Sequence, residues 1–300
     1  MTHDAGPALA PRRFGRTSLW VSPLGLGAGE IGAETLDDRD VEALLRGAID
    51  RGVTLIDTAR SYGRSEERIG RFVAPVRDAV VLSTKVGYGV DGVADWTGPC
   101  VRLGIDRALG KLATDRIDIV HLHSCPVDVL ERGEVIAALH DAQRAGKIRC
   151  AAYSGDNEAL AWAAASGHFD SLQMSFNLCD QRAAAVIARA HGAGTGVIAK
   201  RPLANAPWRF VERPVGHEAE LYWARWQVLA LDPGELPWDE LAARFAAHYP
   251  GVASAIVGTR QLVHLRHDAD LVARGPLPPA VVAAVRARFD AVGADWPARI

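Results

Sequence analysis

Apolar positions along the chain fall into two rhythms that take turns. Between Asp38 and Arg51, residues Val41, Leu44, Leu45, Ala48 and Ile49 recur at helical spacing, and Gly52 ends the run. Short, continuously apolar stretches follow at 54–57, 80–85, 117–123, 148–154, 172–176, 197–200 and 255–258. Helical patterns separate them at 65–73, 101–112, 134–145, 157–166, 182–191, 238–248 and 261–273. Strands that are apolar throughout, rather than at every second position, suit a sheet covered on both faces, as parallel sheets are. With a further strand at 23–27 there are eight strand–helix units, and the pattern predicts an α/β fold, a (β/α)8 TIM barrel.

Some segments lie outside this repeat. Residues 13–22 alternate around a turn and read as an N-terminal β-hairpin. A helical insertion at 217–229 carries Tyr222, Trp223 and Trp226, and 278–292 add a final helix with Val281, Val282, Val285 and Phe289 along one side. Residues 1–11 read as a flexible N-terminal tail and 12–300 as a single barrel, since no low-complexity linker divides them.

The 300 residues suit this reading, because such barrels reach about 250 residues as one unit. Hydrophobic residues make up 49%, enough for a large core. A formal net charge of -2 lacks the basic excess of a nucleic-acid surface. No apolar run approaches the roughly 18 residues of a membrane span, and the first eleven residues lack a signal-peptide pattern. Cys100, Cys125, Cys150 and Cys179 are widely spaced without a CxxC pair, which argues against a disulfide framework or structural zinc. The expectation is a cytoplasmic protein with a small-molecule partner and neither a nucleic-acid nor a membrane partner.

Chemistry concentrates where the strands end. Active sites of such barrels sit at the carboxyl ends of the strands. Asp57, Lys85 and His123 end the second, third and fourth strands, and Tyr62 lies in the loop after the second. Each alone has an ordinary alternative: a turn former, a solvated lysine, a core histidine, a packing tyrosine. Their joint occurrence on consecutive strand ends points to a site. Ser65 is placed to cap the following helix, with Glu66 and Glu67 complementing its dipole. His121 faces the same side of its strand as His123, which raises the question of half a metal site. No matching His, Asp or Glu set stands on the other strand ends, so the expectation is no metal and a hydrogen-bonded His121 deeper in the barrel.

The run Asp57-Thr58-Ala59-Arg60-Ser61-Tyr62-Gly63 resembles the D-T-A-x-x-Y-G signature of the aldo-keto reductases. Ser83-Thr84-Lys85 is similar to their strand-end lysine, and Asp118 to His123 to their D-x-x-x-x-H strand. Gly146-Lys147-Ile148-Arg149, Gln173, Pro202-Leu203 and the ending from Trp296 to Ile300 also match. The resemblance implies an NAD(P)H-dependent reductase of aldehydes or ketones, with Tyr62 as general acid, Lys85 and Asp57 tuning it, and His123 orienting the carbonyl. A free phenol has a pKa of about 10, and a nearby lysine should lower it.

The resemblance lays the nucleotide across the barrel mouth, past Gly27, with Ser154 and Gln173 on the nicotinamide amide. Lys200, Arg201, Pro202 and Leu203 then run under the ring and pyrophosphate, and Gly258, Thr259, Arg260, His264 and Asp268 hold the adenosine phosphate. Departures from the commonest family pattern are Gly155 for asparagine, Lys200 for an aromatic, Gly258 for lysine and His264 for arginine. Arg260 is still suited to a phosphate, so NADPH is expected, with NADH possible. Tyr88, Trp96, the Cys125-Pro126 loop, Trp208, Trp223 and Trp226 are candidate substrate walls. Two other readings stay open. One is a Schiff-base lyase or metal hydrolase using Lys85 or the His121/His123 pair; the other is a weakly catalytic or non-catalytic nucleotide-binding regulatory protein.

Overall fold

Strands β1 (Arg12–Arg13) and β2 (Trp20–Val21) pair antiparallel as the expected hairpin. They belong to a computed structural model that describes residues 8–299. The next eight strands are β3 (Leu24–Gly27), β4 (Leu55–Asp57), β5 (Val81–Val86), β6 (Ile117–His123), β7 (Ile148–Ser154), β8 (Ser171–Ser175), β9 (Gly196–Lys200) and β10 (Ser254–Gly258). All pair in parallel, each with its sequence neighbour, and β10 closes on β3, so the (β/α)8 barrel is complete. Around it stand α1 (Asp38–Asp50), α2 (Ser65–Val73), α3 (Gly98–Lys111), α4 (Val127–Arg132), α5 (Glu134–Arg144), α6 (Asn157–Ser166) and α7 (Ala184–Gly192). The inserted α8 (Glu220–Leu229) precedes α9 (Trp238–Ala247) and α10 (Leu262–Ala273), and α11 (Pro279–Val292) is the final helix.

Inside the barrel the alternation hidden in the apolar runs becomes visible. Residues two apart on a strand share a face. Leu55, Val81, Ile119, Cys150 and Ile198 form an apolar floor, and the hairpin plugs it from below with Phe14, Leu19 and Val21. Two positions further along the same strands stand Asp57, Ser83, His121, Ala152 and Lys200. Beyond those on the longer strands come Lys85, His123 and Ser154. The interior therefore grades from hydrocarbon at the floor to charge at the mouth. Gly196 admits the Phe14 ring against its backbone, where any side chain would overlap it, and Arg16 N donates to Gly194 O at 2.7 Å.

Several boundaries moved from their expected places. Phe176 leaves β8 and joins Phe245 and Tyr249 in the outer layer, 5.6 Å and 4.4 Å away between ring centroids. α8 starts at Glu220 rather than 217, because Ala219 N donates to His217 Nδ1 in a turn ahead of it. The short α4 has no counterpart in the sequence pattern. Of the expected tail, residues 1–7 lie outside the described residues, whereas Leu9 is buried in the core.

Arg68 on α2 is the largest fully buried side chain, 1% exposed. Its guanidinium donates to the carbonyls of Ile31 (2.6 Å), Ala33 (2.8 Å) and Leu36 (2.6 Å) and to Asp38 Oδ1 (2.9 Å). The loop between β3 and α1 has a 3-10 turn at Glu30–Gly32, and one side chain ties these carbonyls together. Arg68→Ala removes the donor to the Ile31 and Leu36 carbonyls and to Asp38, and we expect a loss of about 3 kcal/mol. A urea midpoint equal to that of the parent protein would contradict this.

Candidate functional site

Neighbouring strands bring the rim residues together through their register. Lys85 pairs with His121, and His123 with Ser154, which in turn pairs with Gln173. At the centre Lys85 Nζ lies 2.6 Å from Asp57 Oδ2, with both side chains no more than 3% exposed. Lys85 also donates to Thr58 O at 2.9 Å. The other carboxylate oxygen, Oδ1, accepts from Ser83 Oγ at 2.7 Å and from Gln173 Nε2 at 3.0 Å. Gln173 is oriented by Ser154, whose hydroxyl donates to Gln173 Oε1 at 2.8 Å.

Burial alone would raise the Asp57 carboxyl and lower the Lys85 ammonium. Their mutual attraction and hydrogen bonds outweigh it, so Asp57 is held below the ordinary carboxylate range and Lys85 above its ordinary value. His121 Nε2 is 3.1 Å from Ser83 Oγ. The single Ser83 proton goes to Asp57, so His121 is the donor in that contact.

Tyr62 reaches this group through a loop held from two sides. Its ring centroid is 5.0 Å from Lys85 Nζ, and it meets the His123 ring edge-on at 6.1 Å. Gly63 takes φ +50°, and Arg64 N donates to Gly32 O at 3.0 Å. A methyl group on Gly32 would overlap the Tyr62 carbonyl oxygen, so close backbone approach sets where the phenol begins. Ser65 does not cap α2, as had been expected. The preceding Arg64 occupies the cap position without a side-chain bond, and Ser65 Oγ donates to Ala28 O and accepts from Thr58, both at 2.7 Å. Glu66 and Glu67 do stand in the first turn of α2, as expected, but Glu66 is not at the surface. It is buried against Thr84 Oγ1 at 2.7 Å, and burial raises its pKa.

The two histidines differ in exposure but not in charge. Burial pushes His121 down to about 4 and His123 to about 3, and the Lys85 ammonium adds to both. Tyr88, foreseen only as a substrate wall, stacks on His123 at 5.6 Å and places its hydroxyl 2.9 Å from His123 Nδ1. Among the described residues no group of three or more His, Cys, Asp or Glu side chains is arranged to hold a metal.

A cavity of about 840 Å³ opens beside this network and runs along the mouth. Asp57 and Tyr62 line its inner end. Gly27, Lys200, Arg201, Pro202 and Leu203 line its middle, and Gly258, Thr259, His264 and Asp268 its outer end. Ser154 and Gln173 sit beneath it, committed to Asp57. Lys200 pairs with the buried Asp156 at 2.8 Å, an interaction that no local pattern announced. Arg201, in the left-handed region at φ +57°, reaches Ser175 Oγ (2.7 Å) and Arg299 O (3.0 Å), which ties the C-terminal strap to the mouth. Arg260 turns across the groove to Glu30 at 3.0 Å. Burial pushes the Asp268 carboxyl up to about 7. Trp208 lines the cavity. Trp223 instead donates to Phe210 O, and Trp226 packs on Trp238.

The fold alone does not name a chemistry; comparison with known proteins identifies the family. The chain belongs to the aldo/keto reductase family, whose model matches residues 23–288. The structure of PA4992 from Pseudomonas aeruginosa, classed as an aldo-keto reductase, is 33% identical. It superposes with a TM-score of 0.75 over 91% of this chain and 99% of that one. The uncharacterized oxidoreductase YqkF of Bacillus subtilis (strain 168) is 26% identical over 86% of this chain and 89% of its own length. L-galactose dehydrogenase of Arabidopsis thaliana is 31% identical over 48% of each.

The low pKa values of the two histidines have a measurable sign. Between about pH 6.5 and about pH 4 the unfolded chain binds protons on His121 and His123 that the folded chain does not. Folding stability contributed by these neutral imidazoles is therefore complete above pH 6.5 and is lost as pH falls through this window. In a histidine NMR titration both rings should stay neutral at pH 5.5; a midpoint near 6.5 for either would contradict the burial argument.

Proposed function

We propose that the chain reduces an aldehyde or ketone to the alcohol with a nicotinamide dinucleotide, NADPH before NADH. The observation that carries this reading is the buried Asp57–Lys85 ion pair set against the Tyr62 phenol, with neutral His123 beside it. The cavity fits a nucleotide in its chemistry. Glycine backbone at Gly27 and Gly258 leaves room along its wall, and Arg201 and Arg209 supply positive charge for phosphates. When bound, the nicotinamide supplies the hydride.

The remaining work falls to this chain's residues. As the carbonyl carbon accepts hydride, negative charge grows on its oxygen and must be matched by a proton and a positive field. Tyr62 gives up its phenolic proton to that oxygen, and the O–H bond of the phenol breaks as the alcohol O–H forms. Lys85 stabilises the phenolate left behind, and Asp57 keeps Lys85 charged and in place. His123, neutral throughout, holds the carbonyl oxygen by a hydrogen bond and does not compete as an acid. Trp208, together with Tyr88 and Trp96, forms aromatic walls for the substrate. The relative named for L-galactose makes hydroxylated aldehydes and their lactol forms the first substrates to test.

Tyr62→Phe should lower the reduction rate about 10³-fold while tryptophan quenching by NADPH keeps its midpoint. Undiminished turnover would remove Tyr62 from the proton-donor role. Loss of quenching in the parent protein with both nucleotides would overturn the reductase reading altogether. Arg260→Ala should weaken NADPH about tenfold and leave NADH unchanged; an equal loss for both would remove phosphate recognition from Arg260.

A further inference from the structure

We infer that Tyr88 is a positioning residue that fixes the tautomer of His123, making Nδ1 an acceptor and leaving the ring proton on Nε2. The role of His123 toward substrate rests on the proposed reductase reading, whereas the tautomer itself does not.

The geometry is specific. Tyr88 Oη lies 2.9 Å from His123 Nδ1 and 3.2 Å from Ser61 Oγ, and the two rings stack with planes 26° apart. One phenolic hydrogen faces two neighbours. A phenol is a stronger acid than an alkyl hydroxyl and therefore the better donor, and the imidazole nitrogen is the more basic of the two acceptors. The proton goes to Nδ1. Ser61, which is exposed, then donates its own hydrogen to the phenol oxygen or to water. Because burial and the Lys85 charge keep the imidazole neutral, it carries a single ring proton, which must sit on Nε2.

Tyr88 is itself held in place for this contact. The Trp96 ring packs on it with centroids 5.6 Å apart. Trp96 N donates to Gly87 O at 2.7 Å, and the indole fills the space where a Gly87 side chain would stand. Gly89 N donates to Asp95 Oδ1 at 2.7 Å, and Arg60 reaches Tyr88 O at 3.4 Å. Gly87 (φ +129°) and Gly89 (φ +72°) take positive φ that glycine allows freely, and Trp96 (φ +58°) is held in the left-handed region, so the loop's tight course presents the phenol. A merely packing tyrosine would not require its hydroxyl to meet a ring nitrogen.

Long-range 1H–15N correlation spectra of the unliganded protein at pH 7 read the tautomer directly. The parent protein should show His123 with Nε2 protonated and Nδ1 bare. Tyr88→Phe should give a mixture of tautomers and lower kcat for a small aldehyde about tenfold, with NADPH quenching unchanged. Ser61→Ala should leave the His123 signature as it is, because the phenol still donates to Nδ1. A protonated Nδ1 in the parent protein, or a Tyr88→Phe spectrum with Nε2 still the sole protonated nitrogen, would overturn the assignment. The spectra need no turnover, so a protein that shows the expected tautomer but reduces nothing would defeat the reductase reading and not this one.

Discussion

Two opposite charges placed where water is excluded impose conditions on everything around them. Removing Asp57 and Lys85 from solvent costs several kcal/mol per ion, and their attraction offsets this only when the remaining lone pairs and protons also find partners. Here they do. Ser83, Gln173 and the Thr58 carbonyl complete the two groups, Ser154 orients Gln173, and His121 supports Ser83. One ion pair thus recruits side chains from β4, β5, β6, β7 and β8. The network is worth little as a source of stability. Its value is that a cation stands at a fixed point beside a phenol with no freedom to relax away.

The apolar floor makes that arrangement possible. Leu55, Val81, Ile119 and Ile198 exclude water below the pair, and the hairpin closes the end through Phe14. A single period-two pattern on each strand therefore serves two purposes: hydrocarbon at the first inward position, chemistry at the next. A shift of one residue in any of these strands would turn its polar group outward into the helix layer. Register and site are the same constraint.

The barrel and the rim set were both legible in the sequence because each is written locally. Strand-length apolar runs give the strands, and Asp57, Lys85 and His123 announce themselves by ending them. The residues that escaped notice act across the fold. Gly32 matters only because the Tyr62 backbone passes over it. Arg68 lies on a helix and satisfies carbonyls of a loop more than thirty positions away. Glu66 is the first-turn acid that was expected, but its helix also turns it inward onto Thr84. In each case the interaction depends on how α2 and its flanking loops dock on the barrel, and no window of sequence contains that angle. The α4 helix escaped for another reason: it has six residues between Pro126 and a left-handed Gly133, too few to show a period.

Rigidity falls off from the inner end of the cavity to the outer, and this bears on what each end can decide. Around Asp57 the polar side chains are tied to one another across five strands, with only His121 Nδ1 left without a partner among the described residues, so a substitution there is felt by several strands. At the outer end, Arg260 and Glu30 are about half exposed. An ion pair of that kind is worth ~0–1 kcal/mol, so Arg260 is held across the groove only weakly. The inner end is fixed in one geometry, and on the proposed reading the outer end, where Gly258 and His264 depart from the commonest family pattern, sets the preference among nucleotides.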